Sequence, residues 1–133
     1  MIRNSIEMGI MFNIIDTDRG EKADLTPLRG TLDYRLAFAR RVRQLVEIPG
    51  SAPFEIWCAR PEDVIHEKLL AWKEGRSRKH ENDILETMLF HCLNEAENFQ
   101  MEKSIDEMAK KLGEETERFW QKIKADAKKD LES

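Results

Sequence analysis

R-P-E-D-V-I-H-E-K-L-L-A-W-K-E-G-R-S-R-K-H-E-N-D-I-L-E-T-M-L-F, running from Arg60 to Phe90, is the stretch whose pattern decides the fold. It holds two helical patterns joined by a short basic turn, R-S-R-K-H from Arg76 to His80. Pro61 suits the first helical position, where the N–H it lacks would have no intrahelical partner, and Glu62 and Asp63 then place negative charge against the helix dipole. At about 100° per residue, Ala71, Val64, Lys68, Trp72, Ile65 and Leu69 follow one another around a single arc. Lys68 thus occupies the middle of an apolar face. A lysine there either runs its methylene stem along the surface to water or ends in a polar cleft facing a carboxylate or a phosphate, because an ammonium buried without a partner is costly.

Gly75 is a natural end for the first helix. In the second, Ile84, Leu85, Met88, Leu89 and Cys92 recur at core spacing. Asn82 or Asp83 is expected at its N-terminal end, where capping is the ordinary use of Asp83. Arg76, Arg78 and Lys79 beside a helix N-terminus would also suit an anion.

Working outward toward the N-terminus, F-E-I-W-C-A (Phe54 to Ala59) and Leu45 to Ile48 read as strands around the P-G-S-A-P turn from Pro49 to Pro53. Before them, Thr31 or Asp33 can cap a helix through roughly Val42, made basic by Arg35, Arg40, Arg41 and Arg43. Such a cluster is usually a solvated face, although arginines are also the usual donors for bidentate phosphate contacts. Earlier still, the apolar run Ile10 to Ile15 and the segment Glu21 to Thr26 flank D-T-D-R-G, which predicts a hairpin. Alternation along its second strand places Lys22 and Asp24 on one face. Asp24 reads either as a charge that keeps a sheet edge from aggregating or as a metal-binding or base carboxylate projecting from the sheet. Met1 to Met8 looks like the end of a helix.

Toward the C-terminus the chain turns polar and helical. Ile105, Met108 and Leu112 mark one amphipathic helix, and Gly113 separates it from another carrying Phe119, Trp120, Ile123 and Ala127 on one side. Phe119 and Trp120 are expected to pack this helix against the core, with a partner interface as the second reading.

Composition bounds what these elements can do. The chain has 133 residues, 41% of them hydrophobic, enough for one domain with a modest core. With 26 acidic against 22 basic residues the net charge is -4, which argues against bulk nucleic-acid or membrane-surface binding but leaves room for a local basic patch. No signal peptide and no long apolar span is visible, so a cytoplasmic protein with reduced Cys58 and Cys92 is expected. His66, His80 and His91 with the cysteines have no zinc-site spacing, and no Gly-rich phosphate loop occurs. Lys22, Asp24, Lys68, Arg76 and Asp83 remain as candidate site residues.

Three segments together, Phe12 to Leu25, Ala59 to Arg76 and Arg78 to Ile84, resemble the later part of bacterial and archaeal nucleotidyltransferase-fold proteins of the polymerase-beta superfamily, a group that includes the abortive-infection nucleotidyltransferase toxins. The resemblance covers about residues 5 to 98. It implies an α+β fold, a mixed or antiparallel small sheet flanked by helices, with residues 1–98 as a partial core and 99–133 as a C-terminal helical extension. It also implies Mg²⁺-dependent chemistry on a nucleoside triphosphate. Asp24 matches the family's third carboxylate and would be the metal ligand. Lys68 matches the lysine of the P-E-D helix, with Arg76 in the same motif, and Asp83 corresponds loosely to the final acidic motif. Lys22, Lys68, Arg76, Arg78 and Lys79 are the implied phosphate-binding cations.

The family's Gly-Ser followed by a D-x-D pair does not occur among the 23 residues before Asp24. Two-metal phosphoryl transfer needs several carboxylates to hold its ions, so this chain alone is expected to be inactive, a truncated or degenerate member that at most binds a nucleoside triphosphate with Mg²⁺. A sheet left open in this way predicts a homo-oligomer or a protein partner that completes it. The competing expectation is a non-enzymatic interaction protein, such as a toxin–antitoxin component, that holds a partner through its helices.

Overall fold

A computed structural model describes residues 2–9, 11–28, 34–94 and 100–133, with the side chains of 91–94 and 100–102 excepted. The described residues form an α+β protein with six helices and two small antiparallel sheets of two strands each. The chain divides into two compact units at Ala59 and Arg60.

The first unit, Met1–Ala59, contains α1 (Ile2–Met8), β1 (Phe12–Asp16), β2 (Glu21–Leu25), α2 (Tyr34–Ala39), β3 (Val42–Val46) and β4 (Phe54–Cys58). The expected hairpin forms, with Phe12 opposite Leu25, Ile14 opposite Ala23 and Asn13 opposite Asp24. Its turn is closed by Asp16, whose Oδ1 accepts the backbone N–H groups of Asp18 and Arg19, the usual service of an Asp at a turn. The helix expected to run through Val42 is shorter. It ends at Ala39, and Val42 and Arg43 belong to β3, which itself lies earlier than the expected Leu45–Ile48 strand. A helix of six residues is marginal by itself, whereas V-R-Q-L-V can pair residue by residue with Phe54–Cys58. Thr31, Leu32 and Asp33 lie outside the described residues.

Each hairpin has one largely apolar face. Phe12, Ile14, Ala23 and Leu25 share a face of the first; Val42, Val46, Phe54, Ile56 and Cys58 share a face of the second. No described residue of this unit is buried.

The second unit, Arg60–Ser133, holds the core. It comprises α3 (Pro61–Gly75), α4 (Arg78–Asn94), α5 (Gln100–Leu112) and α6 (Glu114–Glu132). Helix α3 begins at Pro61 with Glu62 and Asp63 in its first turn, as expected, and ends when Arg76 adopts the left-handed conformation at φ 57° and donates its N–H to the Trp72 carbonyl. The expected basic turn is reduced to Arg76 and Ser77, since α4 already starts at Arg78. The Ser77 hydroxyl accepts the Lys79 N–H and caps it.

Ile65 and Leu69 of α3, Ile84 and Met88 of α4, Ile105 and Ala109 of α5, and Phe119, Trp120, Ile123 and Ala127 of α6 form one buried cluster. Each large aliphatic or aromatic side chain in it contributes roughly 1.5–3 kcal/mol by leaving water. Phe119 and Trp120 thus serve the core, and Trp72 stacks face to face on Phe119 with ring centroids 3.7 Å apart. The apolar arc of α3 is not buried evenly: Ile65 and Leu69 are inside, while Val64 is exposed. Lys68 is therefore at the rim of the core, not at its centre.

Helices α5 and α6 are also joined by a polar clasp. Asp106 Oδ1 accepts the Trp120 indole N–H at 2.6 Å and the Lys124 ammonium at 2.7 Å. The indole N–H and the ammonium of a buried lysine both need partners, and one carboxylate serves both.

Candidate functional site

The two-residue link between α3 and α4 folds them into a helical hairpin and brings two of the candidate residues together. Lys68, two turns before the end of α3, reaches Asp83 in the second turn of α4. The Nζ to Oδ2 distance is 2.6 Å, and each side chain keeps about 32% of its surface in water. Asp83 is thus no cap. It lies inside α4, because that helix begins earlier than the apolar spacing alone predicted. The Lys68 hydrogen bond is the main influence holding the Asp83 carboxyl below its usual range; burial opposes it, and the charges of Lys68, Lys79 and His80 add to the lowering.

Three groups that are or can become cations therefore act on a single carboxylate. Lys68 has three N–H donors, of which Asp83 takes one. The arrangement fixes an ammonium at the rim of the core, about one-third exposed, with Lys79 and His80 also acting on the carboxylate that holds it. His80 sits at the same end of α4 with its Nδ1 enclosed and without a hydrogen-bond partner. In the sequence His80 belongs to the basic turn, and its spacing of three residues from Asp83 is the signal that places both on one side of a helix.

The other candidates take separate places. Arg76 turns to α6, where its Nη2 lies 2.6 Å from Glu115, and its guanidinium stacks on the Trp72 ring at 4.2 Å. Arg78 and Lys79 are exposed on the first turn of α4. In the other unit, Lys22 and Asp24 share a face of β2, as alternation required, with Nζ 3.5 Å from Oδ1 and both side chains about half exposed.

Among the described residues no three His, Cys, Asp or Glu side chains converge on a point that could hold a metal ion. Asp24 beside Lys22 is one carboxylate next to a cation, which does not make a Mg²⁺ site by itself, since that ion requires an octahedron of oxygen ligands. No helix among the described residues is long and apolar enough to cross a membrane.

Comparison of the chain with protein-family models, with curated proteins and with solved structures gives no match.

Proposed function

We propose that this chain is a nucleotidyltransferase-like protein whose described residues serve to bind a nucleoside triphosphate. The observation that carries the reading is the Lys68–Asp83 pair. A lysine on the rim of the core is held by one carboxylate at 2.6 Å, remains one-third open to solvent and is flanked by further cationic groups, as anion recognition requires. Mg²⁺ enters this reading only with the nucleotide, because a single carboxylate such as Asp24 can share the ion with phosphate oxygens but cannot enclose it.

Calorimetric titration with ATP, GTP, CTP and UTP, with and without Mg²⁺, tests the reading. Saturable binding is expected with at least one nucleotide, enhanced by Mg²⁺ and lost in Lys68→Ala, whose thermal unfolding curve serves as the fold control. Absence of saturation with every nucleotide refutes it.

A second reading is favoured by one specific observation. The apolar hairpin faces of Met1–Ala59 stand open, with Ile14, Phe54 and Ile56 all exposed, and a surface of that kind usually meets another protein surface. On this reading the chain is an interaction protein or a homo-oligomer, and the contact runs through the hairpins, since Phe119 and Trp120 are committed to the core. Sedimentation velocity across a hundredfold concentration range separates the cases: a monomer at all concentrations removes the homo-oligomer.

A further inference from the structure

The net charge of -4 is not evenly spread. Met1–Ala59 carries eight basic and eight acidic residues, so the excess of acid belongs to Arg60–Ser133. Within the first unit, the segment from Tyr34 to Val46 has four arginines and no acidic residue.

The structure organises part of this segment together with aromatic rings. Residues 41, 43 and 45 share one face of the β3–β4 ribbon with Glu55 and Trp57, since Arg43 lies directly opposite Trp57 and Leu45 opposite Glu55. The Arg41 guanidinium stacks on Phe38 at 4.0 Å and on Trp57 at 4.7 Å, and its Nη1 donates to the Phe38 carbonyl at 2.7 Å. Arg43 lies 5.3 Å from the same indole and pairs with Glu55 at 3.1 Å. Phe38 and Trp57 nevertheless remain 50% and 56% exposed. Arg41, Phe38 and Trp57 line an open groove of about 370 Å³ together with Asp24 and Tyr34.

Two features of this surface need explaining together: large flat rings left in water, and the Arg41 guanidinium held against them with no carboxylate paired to it among the described residues, while Arg43 beside it is paired with Glu55. An acidic peptide would satisfy the charge but not the rings, and an apolar partner would satisfy the rings but desolvate the arginines. A ligand that alternates negative charge with flat π-systems satisfies both. Arginine pinned to a ring loses little further freedom when its fork meets a phosphate, and an exposed indole stacks any unpaired base, whatever its identity. A duplex keeps its bases inside and cannot use the rings.

We propose that the Arg41, Arg43, Phe38 and Trp57 surface of Met1–Ala59 binds single-stranded nucleic acid, with the guanidinium groups on phosphates and Trp57 stacking a base. The surface lies within one unit and does not depend on the Lys68–Asp83 reading.

Fluorescence anisotropy with a labelled twelve-nucleotide single strand, in RNA and DNA forms, and with the matching duplex tests this between 50 and 200 mM salt. Each phosphate neutralised on a single strand contributes about 0.7 to the slope of log K against log salt. The two arginines therefore predict a slope of roughly -1.4, which the double variant Arg41→Ala, Arg43→Ala should abolish. Arg43→Lys should keep the slope. Trp57→Leu should keep the slope while weakening binding roughly 5- to 150-fold, the range for losing one stacked base. Lys129→Ala, which removes an exposed charge from α6, is the charge control and should change neither quantity. Far-ultraviolet circular dichroism of each variant establishes that the hairpins are retained. Absence of single-strand binding at 50 mM salt, equal affinity for the duplex, a slope change with Lys129→Ala equal to that of one arginine, or binding to anionic lipid vesicles in place of oligonucleotide would each overturn the proposal.

Discussion

Separating Lys68 from Asp83 should loosen the α3–α4 hairpin by a measurable and pH-dependent amount. The pair is short, at 2.6 Å, and each side chain is about one-third exposed. Fully exposed ion pairs contribute about 0.2–1 kcal/mol, whereas breaking a fully buried pair costs roughly 3–5 kcal/mol because a charge is left without compensation. Lys68 can swing to water once Asp83 is gone, so the coupling should fall nearer the first limit, at about 1–2 kcal/mol. The measurement is a double-mutant cycle of Lys68→Ala, Asp83→Ala and the combination, by urea unfolding at constant m-value. A Trp57→Phe background restricts the fluorescence signal to Trp120 in the core cluster of Arg60–Ser133 and Trp72 packed against it.

The sign of the pH dependence follows from Asp83. Its carboxyl is lowered in the folded state from an ordinary value of 3.8. The unfolded chain therefore binds a proton first as pH falls, and the stabilisation is complete above the unfolded value and disappears through the lower, folded one. Coupling energies at pH 7 and pH 5 should agree, and the value should shrink at about pH 3 and below. A coupling under about 0.3 kcal/mol at pH 7, or one that persists undiminished in acid, would refute the assignment of the pair as a real constraint on Lys68.

Other perturbations have equally definite outcomes. Asp106→Ala removes the partner of both the Trp120 N–H and Lys124, whose side chain is only 10% exposed, and should destabilise Arg60–Ser133 by roughly 2–4 kcal/mol in urea. Asp106→Asn should cost less, since it can still accept from Trp120. Burial alone would push the Asp106 carboxyl up, but the Lys124 and Trp120 hydrogen bonds outweigh it and leave it lowered; acid titration followed at the Trp120 indole should show this carboxyl protonating below 3.8. Leu69→Ala, at a fully buried site, should cost about 2–5 kcal/mol by thermal or urea unfolding. Gly113, which starts α6 at φ 118°, should resist replacement: Gly113→Ala places a Cβ in backbone space that L-residues rarely enter and should cost about 1–3 kcal/mol.

Secondary structure was far more legible in the sequence than the contacts between elements. The start of α3 at Pro61 and the core faces of α4, α5 and α6 were legible, because a repeat of three and four residues has few physical meanings once it is bounded by Pro and Gly. The two hairpins were legible as well, with an error at β3, where six helix-prone residues were expected to continue through Val42. Helix preference there is worth only tenths of a kcal/mol per residue, and the five backbone partners offered by Phe54–Cys58 outweigh it. The face shared by Lys22 and Asp24 followed from alternation alone.

The candidate residues could be picked out of the sequence, but the contacts they make could not. Lys68 was conspicuous by its place on an apolar arc, yet Asp83 looked like a cap until the true start of α4 put it inside the helix and opposite the lysine. Arg76 appeared to belong with Lys68 and is instead held by Glu115, thirty-nine residues away. The clasp of Asp106, Trp120 and Lys124 left no mark in the sequence, since its spacing crosses from one helix to the next. Local preferences and periodicity determined which segments of this protein are helix or strand and which faces turn inward, because those depend on neighbours within a few residues. Which charge meets which, and which rings stay in water, was decided only by the tertiary structure, because a contact between elements depends on helix register and on where each element ends, quantities that composition and spacing do not carry.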